Sequence, residues 1–409
     1  MSEPRIVIVG GGLTAARVVQ AYREAGGEEP ITLVSADDRP PYHRPPLSKG
    51  FLRGESELDD ALVEPAEWYG RNGVDLRLET LVEAVDVGGR TVRLAGGETV
   101  PWTRLVLASG SRPRRLPVPG ADLPGVHVYR TAADAAAVRR EAERAGRALV
   151  IGGGFIGMET AASLRRRGLE VTQVDLAPRL FAALGVPEVS ASLERLYRER
   201  GVEVVLEDAV AEFRGDGALG GAVTKGGREL EADLAIVGIG VEPWTDYLEG
   251  SGIALDDGVV VDERFRTSVD GVFAAGDVVR FHDPIFGHAR RIEHWSNADH
   301  QGTRLGRLLA GEDAPYDHVA VFFTELFGTR IGVLGDPDGG FEEVVVRGSL
   351  EEGRVIGFYL REDRLVAVLV SGVEDETRAS LTQLLREQPR VGDRSLLADE
   401  GAVPEDAFT

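Results

Sequence analysis

Short apolar runs recur along the chain, each closed by glycine or proline. Arg5–Val9 (RIVIV), Ile31–Val34 (ITLV), Leu105–Ala108 (LVLA), Ala148–Ile151, Val202–Leu206, Leu234–Val237 and Val272–Ala275 are of this kind. Runs without polar alternation predict strands covered on both faces, as in parallel sheets flanked by helices. Helical stretches follow several of them: one ends near Ala25 before Gly26–Gly27, one covers about Phe155–Arg167 before Gly168, and others lie at Val189–Arg200 and within Ile292–Leu309. The pattern changes in Val74–Val100, where short strands alternate with the turns Gly88–Gly89 and Gly96–Gly97, predicting a small antiparallel insert. A hairpin is expected around Gly215–Gly221. After Pro315 the strands Glu343–Val346, Val355–Leu360 and Leu365–Val370 and a helix near Thr377–Arg386 predict an α+β segment, with a loosely ordered tail from Pro389.

Two strand–turn–helix junctions carry glycine patterns. Strand Ala148–Ile151 leads into Gly152-x-Gly154-x-x-Gly157, then a helix, then a strand ending at Asp175. The three glycines serve a tight turn, close approach of a pyrophosphate, and close packing of helix on strand. The helix N-terminus offers unpaired N–H groups and a positive dipole end, and Asp175 is placed to accept from ribose hydroxyls. Strand Arg5–Val9 repeats the arrangement with Gly10-x-Gly12-x-x-Ala15, followed by Ile31–Val34 and Asp37. Pro117, Pro119 and Pro124 mark a linker between the two units, and Gly238 and Gly240 close the second. The expected fold is α/β, with two Rossmann-like dinucleotide-binding domains and a C-terminal α+β domain. The expected boundaries are 1–115 with 245–318 for the first, 116–244 for the second and 319–409 for the third.

Composition narrows the chemistry. The 409 residues are 43% hydrophobic and 28% charged, those of a globular protein. No apolar run approaches the roughly 20 residues that span a bilayer, and a strand begins within the first residues, so neither membrane span nor signal peptide is expected. There is no cysteine, which excludes disulfides, thiolate metal sites and a redox-active cysteine pair. A cytoplasmic location is the simplest expectation. The net charge of −22 argues against nucleic acid and anionic membranes as partners.

The segment Ala36–Gly54 holds Pro40, Pro41, Pro45 and Pro46, which speak against regular helix or strand there. By composition it reads as a surface linker; a rigid loop that holds Arg44 and Lys49 against a ligand is the sharper alternative. Gly276-Asp277, after strand Val272–Ala275, is either an ordinary turn or a carboxylate placed for ribityl hydroxyls or for water near a pyrophosphate. Glu159, placed in the first turn of the second glycine-turn helix, either complements the helix N-terminus or does something more specific.

Five motifs in order, RPPLSK (Arg44–Lys49), SGSRPR (Ser109–Arg114), VIGGGFIGMETA (Val150–Ala161), GVFAAGD (Gly271–Asp277) and IEHWSNADHQG (Ile292–Gly302), resemble the FAD- and NADH-dependent ferredoxin reductases of bacterial oxygenase systems. The resemblance runs from Arg5 to about Gly311. It implies that the first unit binds FAD, the second binds NADH, and the third covers the flavin and helps dock a 2Fe–2S ferredoxin. FAD would be held at the Gly10, Gly12, Ala15 turn by Leu13 and Thr14, at the ribose by Asp37, and by Arg44, Lys49, Val82, Arg130, Asp277 and Trp295. NADH would lie on Gly152, Gly154, Ile156, Gly157, Asp175 and Gly238. Lys49 and Glu159 match a lysine–glutamate pair beside the flavin, Lys49 favouring the negative charge of the reduced ring. The implied reaction is hydride transfer from NADH to FAD, then single electrons to the ferredoxin, which feeds an oxygenase.

The third segment departs from the pattern. Where the family has aromatic-Trp-(Ser/Thr)-(Asp/Glu)-Gln, this chain has Phe322-Phe323-Thr324-Glu325-Leu326, and similarity is weak beyond about Leu369. An NADH oxidase or quinone reductase, or a redox-sensing interaction protein resembling apoptosis-inducing factor, are the competing readings. The chain is expected to be a monomer or homodimer.

Overall fold

The computed structural model describes residues 5–313 and 316–409; Pro315 lies outside them. They form two compact units: one of residues up to His43, Asp59–Arg112 and Glu242–Ala320, the other of Arg44–Leu58, Pro113–Val241 and Val321–Thr409.

The first unit is built on a five-stranded parallel sheet in the order Val272–Ala274, Arg104–Leu107, Ile6–Val9, Ile31–Val34, Val74–Arg77. All four residues of Ile6–Val9 are buried, as expected of a strand covered on both faces. Helix Leu13–Glu24 lies against helix Trp295–Leu309, and glycine sets their separation. A Cβ on Gly302 would stand 2.6 Å from the Thr14 carbonyl oxygen, and one on Gly306 2.5 Å from that of Val18. One expectation is corrected here. Val74–Arg77 is not part of the antiparallel insert; it pairs in parallel with Ile31–Val34. The insert is the three-stranded sheet Val82–Asp86, Thr91–Leu94, Thr99–Pro101.

The second unit repeats the plan: Val202–Val205, Glu170–Val174, Arg147–Ile151, Leu234–Val237 and Val126–Val128, again all parallel. The edge strand Val126–Val128 follows directly after the proline-marked linker. Next comes helix Ala132–Glu141, closed by a reciprocal cap between Thr131 and Asp134.

The same unit contains a five-stranded antiparallel sheet in the order Val321–Leu326, Thr329–Gly335, Arg364–Ser371, Arg354–Arg361, Glu343–Ser349, with helix Asp375–Glu387 after it. The tail after Pro389 is ordered, contrary to expectation. It includes the short helix Arg394–Ala398, and the largely buried Arg347 guanidinium donates to the carbonyls of Leu396, Leu397 and Ala402. The first two lie in the last turn of that helix, where nothing within the helix satisfies them, and Ala402 lies beyond it.

The proline-rich segment also departs from expectation. Leu47–Phe51 makes one wide helical turn, opened at Lys49 (φ −117°, ψ −107°). Pro46, with φ −65°, suits the position before such a turn. Tyr129 donates to the Leu47 carbonyl at 2.7 Å and Ser163 to that of Ser48 at 2.6 Å, which fixes the turn from two sides.

Candidate active site: two glycine turns and a buried carboxylate

The two glycine turns agree almost atom for atom. Gly10 (φ +118°) and Gly152 (φ +110°) both adopt a conformation open to glycine. A Cβ on Gly10 would stand 2.1 Å from the Ala108 carbonyl oxygen, and one on Gly152 2.2 Å from that of Gly238. Gly10 N–H donates to Val34 O and Gly152 N–H to Val174 O, each at 2.9 Å. Each turn thus crosses at the carboxyl ends of parallel strands, where the strand order reverses and ligands of such sheets bind.

Above this packed floor the second turn is open. A Cβ on Gly154 would meet nothing within 4 Å. Helices Leu13–Glu24 and Phe155–Arg166 begin at Gly12 and Gly154 with no side-chain cap and no acid in the first turn. Their leading N–H groups and positive dipole ends therefore lack a partner from a capping side chain. A closed floor of carbonyl oxygens and an open, uncapped helix end is the form a pyrophosphate needs, so the residues present fit one dinucleotide on each unit. Gly157 completes the second turn: its Cβ would stand 2.0 Å from the Gly152 carbonyl oxygen. Leu13, Thr14 and Ala15, at the matching place in the first, are buried. Ile156 lies in the first turn of the second helix, next to Gly157.

The acids differ between the two units. Asp175 follows strand Glu170–Val174 directly, and its carboxylate lies beside the turn, 2.2 Å from where a Cβ on Gly153 would be. Its Oδ1 accepts from Ala177 N–H at 2.8 Å. In the first unit that place belongs to Ser35, whose Oγ would stand 2.0 Å from a Cβ on Gly11. Asp37 comes two residues later and accepts from the Tyr42 hydroxyl at 2.7 Å.

Also in the first unit, Gly276 (φ +84°) places Asp277 just beyond strand Val272–Ala274; the Gly276 N–H donates to the buried Gln301 amide oxygen at 2.7 Å, and Thr14 Oγ1 would stand 2.4 Å from a Cβ at Gly276. Asp277 is thereby held next to the glycine-turn helix. Ser111 donates to it at 3.4 Å. Desolvation pushes the His294 imidazole down to about 4, against the pull of Asp277, so it is neutral at physiological pH. Val82 is buried in the core of this unit.

Trp295 opens helix Trp295–Leu309 and is 36% exposed, so it is not the core residue that an indole after an apolar–acid–His run most often is. Its Nε1–H donates to His43 Nδ1 at 3.0 Å. That nitrogen must be bare to accept, and burial, then the Arg17 charge, lower the His43 pKa. Replacing Trp295 with alanine is expected to change the visible absorbance and fluorescence of bound flavin, and unchanged spectra would remove it from the flavin contacts.

In the second unit the wide turn brings Lys49 to Glu159, Nζ to Oε1 at 2.6 Å. Glu159 is 5% exposed and is the fifth residue of its helix, beyond the first turn, so it does not complement the N-terminus as its sequence position had suggested. Two hydroxyls complete its shell. Thr324 Oγ1 donates to Oε1 at 2.7 Å, and Ser48 Oγ donates to Oε2. Arg44 donates to the Arg130 carbonyl at 3.3 Å, and the Arg130 N–H is taken by Asp134 at 3.0 Å.

Of the expected flavin residues, Arg44, Lys49 and Arg130 thus belong to the second unit and the rest to the first. Ser48, Gln301 and Thr324 were not singled out from sequence. Ser48 and Gln301 lie inside the motifs RPPLSK and IEHWSNADHQG. Thr324 stands at the Ser/Thr position of the stretch Phe322–Leu326, which otherwise departs from the family pattern by lacking its Trp and Gln.

Comparison with known proteins agrees with this geometry. The sequence pattern of the pyridine nucleotide-disulphide oxidoreductases matches residues 4–302. The ferredoxin–NAD(+) reductase subunit of a Pseudomonas putida benzene 1,2-dioxygenase system is 34% identical over 89% of this chain and 88% of its own. The ferredoxin–NAD(+) reductase component of a Burkholderia cepacia anthranilate 1,2-dioxygenase system is 37% identical over 90% of both chains. Among solved structures, a covalent putidaredoxin reductase–putidaredoxin complex superimposes with a TM-score of 0.93 at 32% identity, covering 100% of this chain and 98% of that one. With no cysteine this chain cannot use the redox disulfide that gives the family its name, but its two dinucleotide turns are intact. The chain belongs to the pyridine nucleotide-disulphide oxidoreductase family.

Proposed function

We propose that this protein is an NADH-dependent ferredoxin reductase, passing electrons through FAD to a 2Fe–2S ferredoxin that serves an oxygenase. The observation that carries the reading is the pair of matched glycine turns, each on its own parallel sheet, in a chain without cysteine. The two dinucleotide turns fit FAD and NADH, as the resemblance implies, and a chain without cysteine has no dithiol to carry electrons between them. FAD, when bound, supplies the chemistry: it accepts the two electrons of a hydride from NADH and releases them one at a time.

The chain's own residues bind and orient. In this reading the first turn takes the FAD pyrophosphate on the N–H groups of Leu13, Thr14 and Ala15, and the second takes that of NADH on the helix starting at Phe155. Asp37 and Asp175 take ribose hydroxyls, and Asp277 meets the flavin side of the first unit. Lys49, held by Glu159, supplies fixed positive charge that favours the reduced cofactor. Hydride transfer itself needs no general acid or base. No helix among the described residues is long and apolar enough to cross a membrane; we place the protein in the cytoplasm.

The purified protein is expected to be yellow, with one FAD per chain bound without a covalent link, and to reduce cytochrome c with NADH only when a 2Fe–2S ferredoxin is added. Rapid reduction of oxygen or quinone without ferredoxin would assign it to the oxidases instead. NADH-induced dimerisation with negligible turnover would assign it to the redox-sensing interaction proteins.

A further inference from the structure

We infer that Thr324 is a positioning residue of the coenzyme unit: its hydroxyl, together with that of Ser48, locks the Glu159 carboxylate and so holds the Lys49 ammonium in one place. This rests on the function proposed above. A carboxylate has about four acceptor sites, and here three donors reach it: Lys49 Nζ and Thr324 Oγ1 on Oε1, and Ser48 Oγ on Oε2. Lys49 donates otherwise to the Pro45 carbonyl at 3.3 Å. Among the described residues Glu159 is the acid paired with Lys49, and it cannot rotate without giving up a hydroxyl.

The three donors come from two separate parts of the chain: Ser48 and Lys49 from the wide turn Leu47–Phe51, and Thr324 from the strand Val321–Leu326. On that strand Thr324 is 1% exposed, while Phe323 beside it is 47% exposed, so the alternation of the strand turns the hydroxyl inward. Two residues earlier, Phe322 meets Phe155 edge to face, with centroids 5.0 Å apart. Phe155 and Glu159 stand four apart, on one face of the helix that begins at the coenzyme turn. The strand thus touches that helix twice on the same face, once by a ring at its first residue and once by a hydroxyl at its fifth. The ring contact is packing. The hydroxyl contact goes to a carboxylate that is already paired, so its distinct effect is on direction.

Two substitutions separate this role from packing. Thr324→Val keeps the shape and removes the donor; Thr324→Ser keeps the donor and removes a methyl group. In anaerobic mixing with NADH, Thr324→Val should slow flavin reduction about tenfold, the scale of one hydrogen bond to a charged group. Its affinity for NAD+ by calorimetry should stay within about twofold, since the glycine turn and Asp175 are untouched. The flavin midpoint potential should fall, because a freed lysine favours the reduced ring less. Thr324→Ser should restore rate and potential, and Ser48→Ala should move both in the same direction as Thr324→Val. Wild-type rate and potential in Thr324→Val, or a Thr324→Ser variant as impaired as Thr324→Val, would overturn the inference and leave Thr324 a packing residue. A wild-type protein that binds FAD but is not reduced by NADH would overturn the proposed function, and this inference with it.

Discussion

Gly157→Ala is expected to leave FAD bound and to cut the rate of its reduction by NADH by at least about a hundredfold. The added methyl would stand 2.0 Å from the Gly152 carbonyl oxygen and 2.8 Å from its carbon. Both are backbone atoms, and Gly152 cannot retreat because its own N–H is bonded to Val174 at 2.9 Å and its Cα faces the Gly238 carbonyl. Helix Phe155–Arg166 must move off the sheet instead, which takes its N–H groups away from the place a pyrophosphate occupies. Overpacking of this kind costs roughly 1–3 kcal/mol in stability, and about 2.7 kcal/mol lost from coenzyme binding alone is a hundredfold in affinity. The first unit has its own sheet and its own turn, with Ala15 at the matching position, so its flavin content should not change. Stopped-flow reduction together with flavin content tests this; loss of FAD with retention of NADH binding would mean that the two turns have been assigned the wrong way round.

NADH should be preferred over NADPH. Asp175 lies directly beside the second turn, with Oδ1 held by Ala177 N–H and the carboxylate against Gly153. A 2′-phosphate would bring about −1.5 to −2 charges to that carboxylate and take away the hydroxyl that donates to it. Asp175 is partly exposed, so solvent screens part of the repulsion, and the preference should be on the order of 10- to 100-fold in kcat/KM. Arg179 acts in the opposite direction, since an arginine can accept the phosphate. It is exposed, as is the adjacent Pro178. Asp175→Ala should narrow the preference mainly by weakening NADH. Equal kcat/KM for the two coenzymes would show that Arg179 outweighs Asp175.

What could be read from the chain was what is local. Each buried parallel strand carries its own apolar run, and the glycines of the two turns stand at fixed spacing directly after a strand, so spacing alone exposed them. What escaped depends on distant partners. Val74–Arg77 (VDLR) has alternating charge because it is the edge of its sheet, with one face partly open, and it looked like its antiparallel neighbours. The proline-rich segment forms a turn because Tyr129 and Ser163 hold its carbonyls. The tail is ordered because Arg347, in a strand some fifty residues earlier, donates to it. Thr324 lies in a stretch that departs from the family pattern, and its use appears only once the strand is folded onto Glu159. Gly302 and Gly306, four apart on one helix, were legible in principle as a small-residue face for close helix packing.

The most direct test of the account is anaerobic mixing of the purified protein with one equivalent of NADH, followed by oxidised 2Fe–2S ferredoxin. The account predicts that NADH bleaches the flavin's visible absorbance in a single turnover, and that ferredoxin restores it while two ferredoxins are reduced per flavin. A flavin that NADH does not bleach, or one that stays reduced with ferredoxin present and is reoxidised only by oxygen or quinone, would contradict it.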